Sequence, residues 1–356
     1  MTGEGEDASV AIAKTVLKGE RGELDPFLVG RQNGTKVLNA PKLRDLDSMP
    51  FPLRSEDRLG RYLLYDLTWP PASQQHNTAI VLTSRGCLHS CDFCASATVW
   101  GQEAVYRSKE KIVREFQELK EIFGTNTAVI IDQSFGQDKE WTLELCKAIK
   151  NAKIGINWYH QSNLTIDRDV IKAMAEAGCT KIGFGMEGLS PRAVEKVKPP
   201  NPTDFDVIND VFDYCTSLGL FVKAYTMIGF PWETNQSIKE YFEWIQKIRA
   251  SQIKISYMTP FPGTVYWEKY RDQLVTRNWE NFDTVRMPVV HNPHISIEQY
   301  HDIRRDLFRA FYDSNTYTDA ARQMIDRFPR SVESYKEFAD YLRHFDMISG
   351  NTHWLD

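Results

Sequence analysis

Cysteine is scarce in this chain, with six in 356 residues. That number, with no recognisable secretory leader, does not suit a disulfide framework and predicts a reducing, cytoplasmic setting. No run of about 18 apolar residues occurs, so no transmembrane span is expected. Positive charge is not in excess. Lys and Arg total 43 against 48 Asp and Glu, for a net charge of −5. That argues against a strongly basic nucleic-acid surface, and no nucleic-acid partner is expected. What is present is ordinary for an enzyme: 42% hydrophobic and 26% charged residues, enough chain for one large barrel or two domains.

Half of the cysteines lie in one segment, Cys87-Leu-His-Ser-Cys91-Asp-Phe-Cys94, directly after the apolar run Ala79-Ile-Val-Leu82. This CxxxCxxC spacing offers three thiolates, the usual ligands of iron–sulfur clusters. A cubane held by three keeps one iron open, and an open coordination position marks a catalytic centre. A zinc site is the alternative. It needs a fourth ligand, which His89 inside the loop could supply, and it usually comes with paired CxxC knuckles. Cys146, Cys179 and Cys215 are isolated and read as small buried hydrophobes.

From residue 78 onward, apolar strands alternate with amphipathic helices. The expected strands are Ala79–Thr83, Ala128–Asp132, Ile154–His160, Lys181–Glu187, Phe221–Gly229 and Ile253–Thr259. Ala128-Val-Ile-Ile131 is apolar without alternation, as a parallel strand buried on both faces should be. Ser108, Asp138, Asp167 and Thr203 stand where helices start, and Gly178 and Gly219 where helices stop. Repeated βα units imply right-handed crossovers and a parallel sheet. Six of them predict an α/β fold, a partial (β/α)6 TIM-like barrel over residues 76–265. A connector over 1–75 precedes it. A helical extension over 266–356, rich in aromatics, should cover the open side. In such barrels the chemistry sits at the C-terminal ends of the strands, where the cysteine loop falls.

Period-two alternation puts Gly183, Gly185 and Glu187 on one face of the fourth strand. Glycines there leave room for a ligand against the backbone, and Glu187 can accept hydrogen bonds from sugar hydroxyls. Salt-bridged packing is the plainer reading. Lys223 and Tyr225 share a face of the fifth strand and are the candidate catalytic groups for a late proton step. A snorkelling lysine beside a buried tyrosine is the plainer reading of that pair.

The cysteine segment, with aromatic Phe93 before its third cysteine, resembles the signature of the radical S-adenosylmethionine (SAM) superfamily. The resemblance implies a 4Fe–4S cluster on Cys87, Cys91 and Cys94 whose open iron chelates SAM. Reduction would give methionine and a 5′-deoxyadenosyl radical that takes hydrogen from a small organic substrate. That substrate would belong to natural-product, lipid or tetrapyrrole biosynthesis. A reductase or a flavodoxin or ferredoxin would supply the electron.

The same resemblance assigns further cofactor contacts. Asp132 and Gln133 end the second strand, where relatives carry a polar pair against the SAM amino group; many have two acids, so Gln133 departs from that pattern. Gln161 and Asn163 end the third strand, where relatives place Arg or Glu. Gly185-Met-Glu187 looks like the family's G-x-E segment. Gly229-Phe-Pro-Trp-Glu-Thr234 resembles its turn near the adenine, with Glu233 alternatively a helix cap. Pro260-Phe-Pro-Gly-Thr264 resembles a further loop, read as structural. Lys196 and Lys198 lie where a cation can pair the SAM carboxylate, though both read as solvated.

Gly3–Glu6 and Arg44–Pro52 resemble the connector of radical SAM enzymes that carry an upstream cobalamin-binding domain. No Asp-x-His-x-x-Gly motif occurs in the sequence, so that domain is expected to be missing. Three other readings stay open. One is a methyltransferase using cobalamin supplied by a partner, another a non-catalytic iron–sulfur protein, and the last a zinc-binding interaction module.

Overall fold

The computed structural model describes residues 5–18, 45–55, 59, 66–198 and 201–349, with the backbone alone of 2–3, 28–32 and 35–40. Arg44 of the expected connector lies outside them. Six strands build one sheet: β1 (Ala79–Val81), β2 (Thr127–Ile130), β3 (Asn157–Ser162), β4 (Cys179–Glu187), β5 (Phe221–Ile228) and β6 (Gln252–Tyr257). Every neighbouring pair is parallel and the spatial order is the chain order. β1 and β6 are the two edges. The result is the expected open partial barrel.

Helices return the chain across the outer face: α1 (Lys109–Phe123), α2 (Lys139–Ala152), α3 (Arg168–Glu176), α4 (Pro191–Val197), α5 (Phe205–Ser217) and α6 (Asn235–Ile245). Ser108 and Asp138 cap α1 and α2 by accepting from the backbone N–H groups of Lys111 and Trp141. Asp204, not Thr203, caps α5, through the N–H of Asp206. β3 starts at Asn157 rather than Ile154. Lys153 and Gly155 both have positive φ there, which ends the preceding helix in a turn and delays the strand.

An edge strand leaves a row of unpaired backbone groups. Here side chains fill them. Arg54 donates to Ile80 O on β1 at 2.9 Å and Arg107 to Leu82 O just past it at 2.7 Å, and both arginines pair with buried Glu115. On β6, the Tyr312 hydroxyl meets Ile253 N and O at 3.2 and 3.3 Å, and Arg304 Nε donates to Ile255 O at 2.8 Å. Tyr312 and Arg304 lie on α8 (Ile297–Tyr312), which follows α7 (Val265–Tyr270) and precedes α9 (Asn315–Arg327) and α10 (Val332–His344). These C-terminal helices therefore seal the β6 edge and thicken the outer layer. Their apolar faces join the same core as the barrel: Tyr300, Phe311, Tyr317 and Phe338 cluster with Ile255, Phe221 and Ile245.

Candidate functional site

The cysteine loop is held from both sides. Past β2, the buried carboxylate of Asp132 accepts from Thr83 N at 2.7 Å and from the Thr83 and Ser84 hydroxyls at 2.5 Å each. Burial pushes its pKa up, and these hydrogen bonds oppose the rise. Gln133 Oε1 accepts from Gly86 N at 2.9 Å. Gln137 accepts from Leu88 N at 3.0 Å and donates to Gly86 O at 3.2 Å. Gly86 itself has φ +95°, and a β-carbon there would stand 1.8 Å from the Glu103 carbonyl oxygen. On the far side, Tyr266 N donates to Asp92 O at 3.1 Å and Thr98 Oγ1 to Gly263 O at 2.9 Å. Phe93 packs on the Tyr266 ring, 6.3 Å between centroids. The Pro260–Thr264 loop and α7 thus clamp the segment that carries Cys91 and Cys94.

Cys87, Cys91 and Cys94 all border one cavity of about 360 Å³ at the C-terminal ends of the strands. Phe93, Asp132, Gln133, Gln161, Asn163, Glu187 and Tyr225 border it too, so the fold brings most of the sequence-predicted residues together. Burial raises the Cys87 thiol and pushes Cys91 up to about 11. Thiols so placed are held as ligands only when a metal displaces their protons. Among the described residues, no three His, Cys, Asp or Glu converge as ligands of a single metal ion do. The thiols instead ring a space. The Ser96 N–H is directed at Cys94 Sγ at 3.5 Å, and Asn163 Oδ1 is buried without a partner. This donor set, with an acceptor left over beside it, fits a three-thiolate cluster with a polar ligand on its open side.

Glu187 ends β4 with φ +68°, where the register against β5 shifts. The turn swings its carboxylate back over Gly185 toward Lys198, 3.6 Å away. Burial raises the Glu187 pKa and Lys198 opposes the rise. Lys198 is not solvated as expected; it is 7% exposed and also reaches Gly185 O at 3.3 Å. Lys196 does lie outside, over the Trp232 ring at 4.4 Å. The two glycines of β4 make room for the chain's own groups. A β-carbon at Gly183 would strike the Tyr225 ring at 2.5 Å, and one at Gly185 would strike Glu187 at 2.3 Å.

Three expectations change. Asp132 touches the cavity, but its oxygens are engaged by Thr83 and Ser84, so it holds the loop rather than offering a free acceptor. Gly229 does not border the cavity. Its N–H, at φ +90°, donates to Glu233 Oε2 at 2.8 Å. Glu233 is fully buried and also accepts from Phe230 N and from the Tyr241 and Tyr300 hydroxyls. That turn is anchored internally, and Thr234, not Glu233, caps α6. Lys223 does not reach the cavity either. It lies two residues before Tyr225 and pairs with Asp66 at 2.9 Å. Tyr225 alone reaches the site, where its hydroxyl accepts from Gln161 Nε2 at 3.2 Å. Gly86, Gln137, Ser96 and Asp66 carried no signal in the sequence, since each works through contacts distant along the chain.

Known proteins resemble this chain across the barrel. The Radical SAM superfamily model matches residues 81–245. An uncharacterized methyltransferase of Pyrococcus horikoshii is 27% identical over 316 residues, 87% of this chain and 66% of that protein. The bacteriochlorophyllide d C-12(1)-methyltransferase of Chlorobaculum tepidum is 23% identical over 62% of this chain and 48% of its own. Among solved structures, the cobalamin-dependent S-adenosylmethionine radical enzyme OxsB superposes with a TM-score of 0.60 at 14% identity, over 97% of this chain and 59% of that one. The chain spans two thirds or less of each of these relatives. No helix among the described residues is long and apolar enough to cross a membrane. Residues 81–245 thus match a radical SAM domain, a superfamily whose cofactors are a 4Fe–4S cluster and SAM.

Proposed function

We propose that this enzyme cleaves SAM reductively at a cluster held by Cys87, Cys91 and Cys94, and that it abstracts hydrogen from a small organic substrate. The carrying observation is the convergence of three thiols on one cavity that Asn163, Gln161, Glu187 and Tyr225 also border. When bound, the cluster passes one electron to SAM and so supplies a 5′-deoxyadenosyl radical. The chain's residues bind and orient. Glu187 is the acceptor for ribose hydroxyls, and Asn163 Oδ1, unpartnered, is the acceptor for an ammonium group. Lys198 is the cation for a carboxylate. Gln161 fixes the Tyr225 phenol, which stands as the group for a later proton. Phe93 and Tyr266 exclude water from the Cys91–Cys94 side. The electron comes from a reductase or from a flavodoxin or ferredoxin.

Methyl transfer with cobalamin supplied in trans is the second reading, favoured by the methyltransferase names of the relatives. Anaerobic reconstitution with iron, sulfide, SAM and added cobalamin under a chemical reductant separates the two. Formation of 5′-deoxyadenosine, abolished by Cys91→Ala, is expected. S-adenosylhomocysteine as the sole nucleoside product would select methyl transfer, and an intact SAM pool with a loaded cluster would overturn both.

A further inference from the structure

The inner face of the barrel below the cavity carries an unusual surplus of cations. In β5 and β6 every second residue is only partly buried: Lys223, Tyr225 and Met227, then Lys254 and Ser256. These are the inward positions. The register sets Tyr225 directly beside Lys254, and Lys223 one step lower beside Gln252. Neighbouring strands are about 4.8 Å apart, so Lys254 sits one strand from a tyrosine that borders the cysteine cavity.

The counter-charge is short. Asp66 Oδ2 takes both Lys181 and Lys223, at 2.7 and 2.9 Å, and Lys181 also reaches Gln252 at 2.7 Å. Burial would raise Asp66, but the two ammonium groups overcome it and hold the carboxyl below its usual range. No acid among the described residues pairs with Lys254. Burial, then Lys223 and Arg304, lower its pKa, while only Asp66 acts against them. Two lysines thus share one carboxylate, and Lys254 beside them has no acid partner among the described residues. A partly exposed ammonium with two cations near it and no acid partner among the described residues is an anion site in electrostatic terms.

We propose that Lys254 on β6, backed by Lys223, binds an oxyanion of the substrate, a carboxylate or a phosphate, and so lays the rest of the substrate across Tyr225 and Met227 toward the cysteine cavity. This rests on the function proposed above, since it names the class of molecule that the cavity faces. Lys254 is then a positioning residue at the far end of the substrate, clear of the thiols.

Calorimetric titration of the anaerobically purified protein at low salt tests it, with inorganic phosphate in one arm and acetate in the other. Saturable binding is expected in at least one arm, and the tighter arm identifies the oxyanion. Lys254→Met should weaken it tenfold or more. Lys254→Arg should stay within about threefold of the parent, because a cation is retained. Lys239→Met, an exposed lysine on α6, should leave it unchanged. Absence of saturable binding in both arms, or binding that survives Lys254→Met, overturns the proposal. The titration needs neither cluster nor SAM turnover, so a failure here is separate from a failure to form 5′-deoxyadenosine.

Discussion

Gly86 shows how little slack a single position in the cysteine loop has. Its φ of +95° costs a side-chain-bearing residue roughly 1–3 kcal/mol. The 1.8 Å approach to Glu103 O adds a clash with backbone, which cannot move aside as a flexible side chain would. Gly86→Ala should therefore displace Cys87 while the barrel still folds. Iron and sulfide bound per chain after reconstitution should fall several-fold, with the helical circular-dichroism signal retained. Normal cluster content in that variant would mean the loop tolerates a different path. At the same scale, Asp132 and Gln133 show a polar residue doing something other than its spacing suggests. Both sit at a strand end facing the cavity, yet each turns to backbone or hydroxyl donors of the neighbouring loop. Donors in a loop 50 residues away are invisible to spacing.

At the scale of elements, the sheet's open edges decide what the flanking segments do. The Tyr312 hydroxyl serves both the N–H and the C=O of Ile253. Removing it leaves buried backbone groups without a partner, which costs about 1–3 kcal/mol. Tyr312→Phe should lower the thermal midpoint by a few degrees, at about 2–4 °C per kcal/mol for a chain longer than 150 residues. Hydrogen exchange should quicken first at Ile253. A variant whose β6 amides stay as protected as in the parent would count against this role. The helices on the outer face were readable because their apolar stripes and caps are local. β3 starts three residues later than its apolar run suggests because two left-handed positions, Lys153 and Gly155, extend the turn.

For the molecule as a whole, Glu233 ties the turn after β5 to α6 through Tyr241 and to α8 through Tyr300. Asn292 closes the ring by donating to Tyr300 Oη, Phe230 O and Glu233 O. Burial pushes the Glu233 pKa up to about 7, with the Tyr300, Gly229, Tyr241 and Phe230 donors opposing it. The folded state thus holds this proton more tightly than the unfolded chain, whose carboxyl titrates near 4.3. Its contribution is complete below about pH 4.3 and is lost as pH rises through about 7. Urea unfolding at pH 5 and pH 8 should show a decline of up to about 3 kcal/mol from this group, at 1.36 kcal/mol per pH unit. Glu233→Gln, which cannot titrate, should remove that decline. An unchanged slope in the variant would assign the pH dependence elsewhere.

By itself the sequence determined the motif, the βα alternation and the fold class, because cysteine spacing, apolar runs and helix caps are short-range and survive without coordinates. It also named most of the residues that meet at the cavity, since strand ends in a parallel barrel share one rim. Tertiary structure alone decided which of them are free to act. Whether Asp132 is an acceptor or a tether, whether Lys198 is wet or buried, and whether Lys223 or Tyr225 reaches the site depend on partners 10 to 160 residues away in the chain. A side chain's chemistry is set by what packs against it, and long-range packing leaves no periodic mark on a sequence.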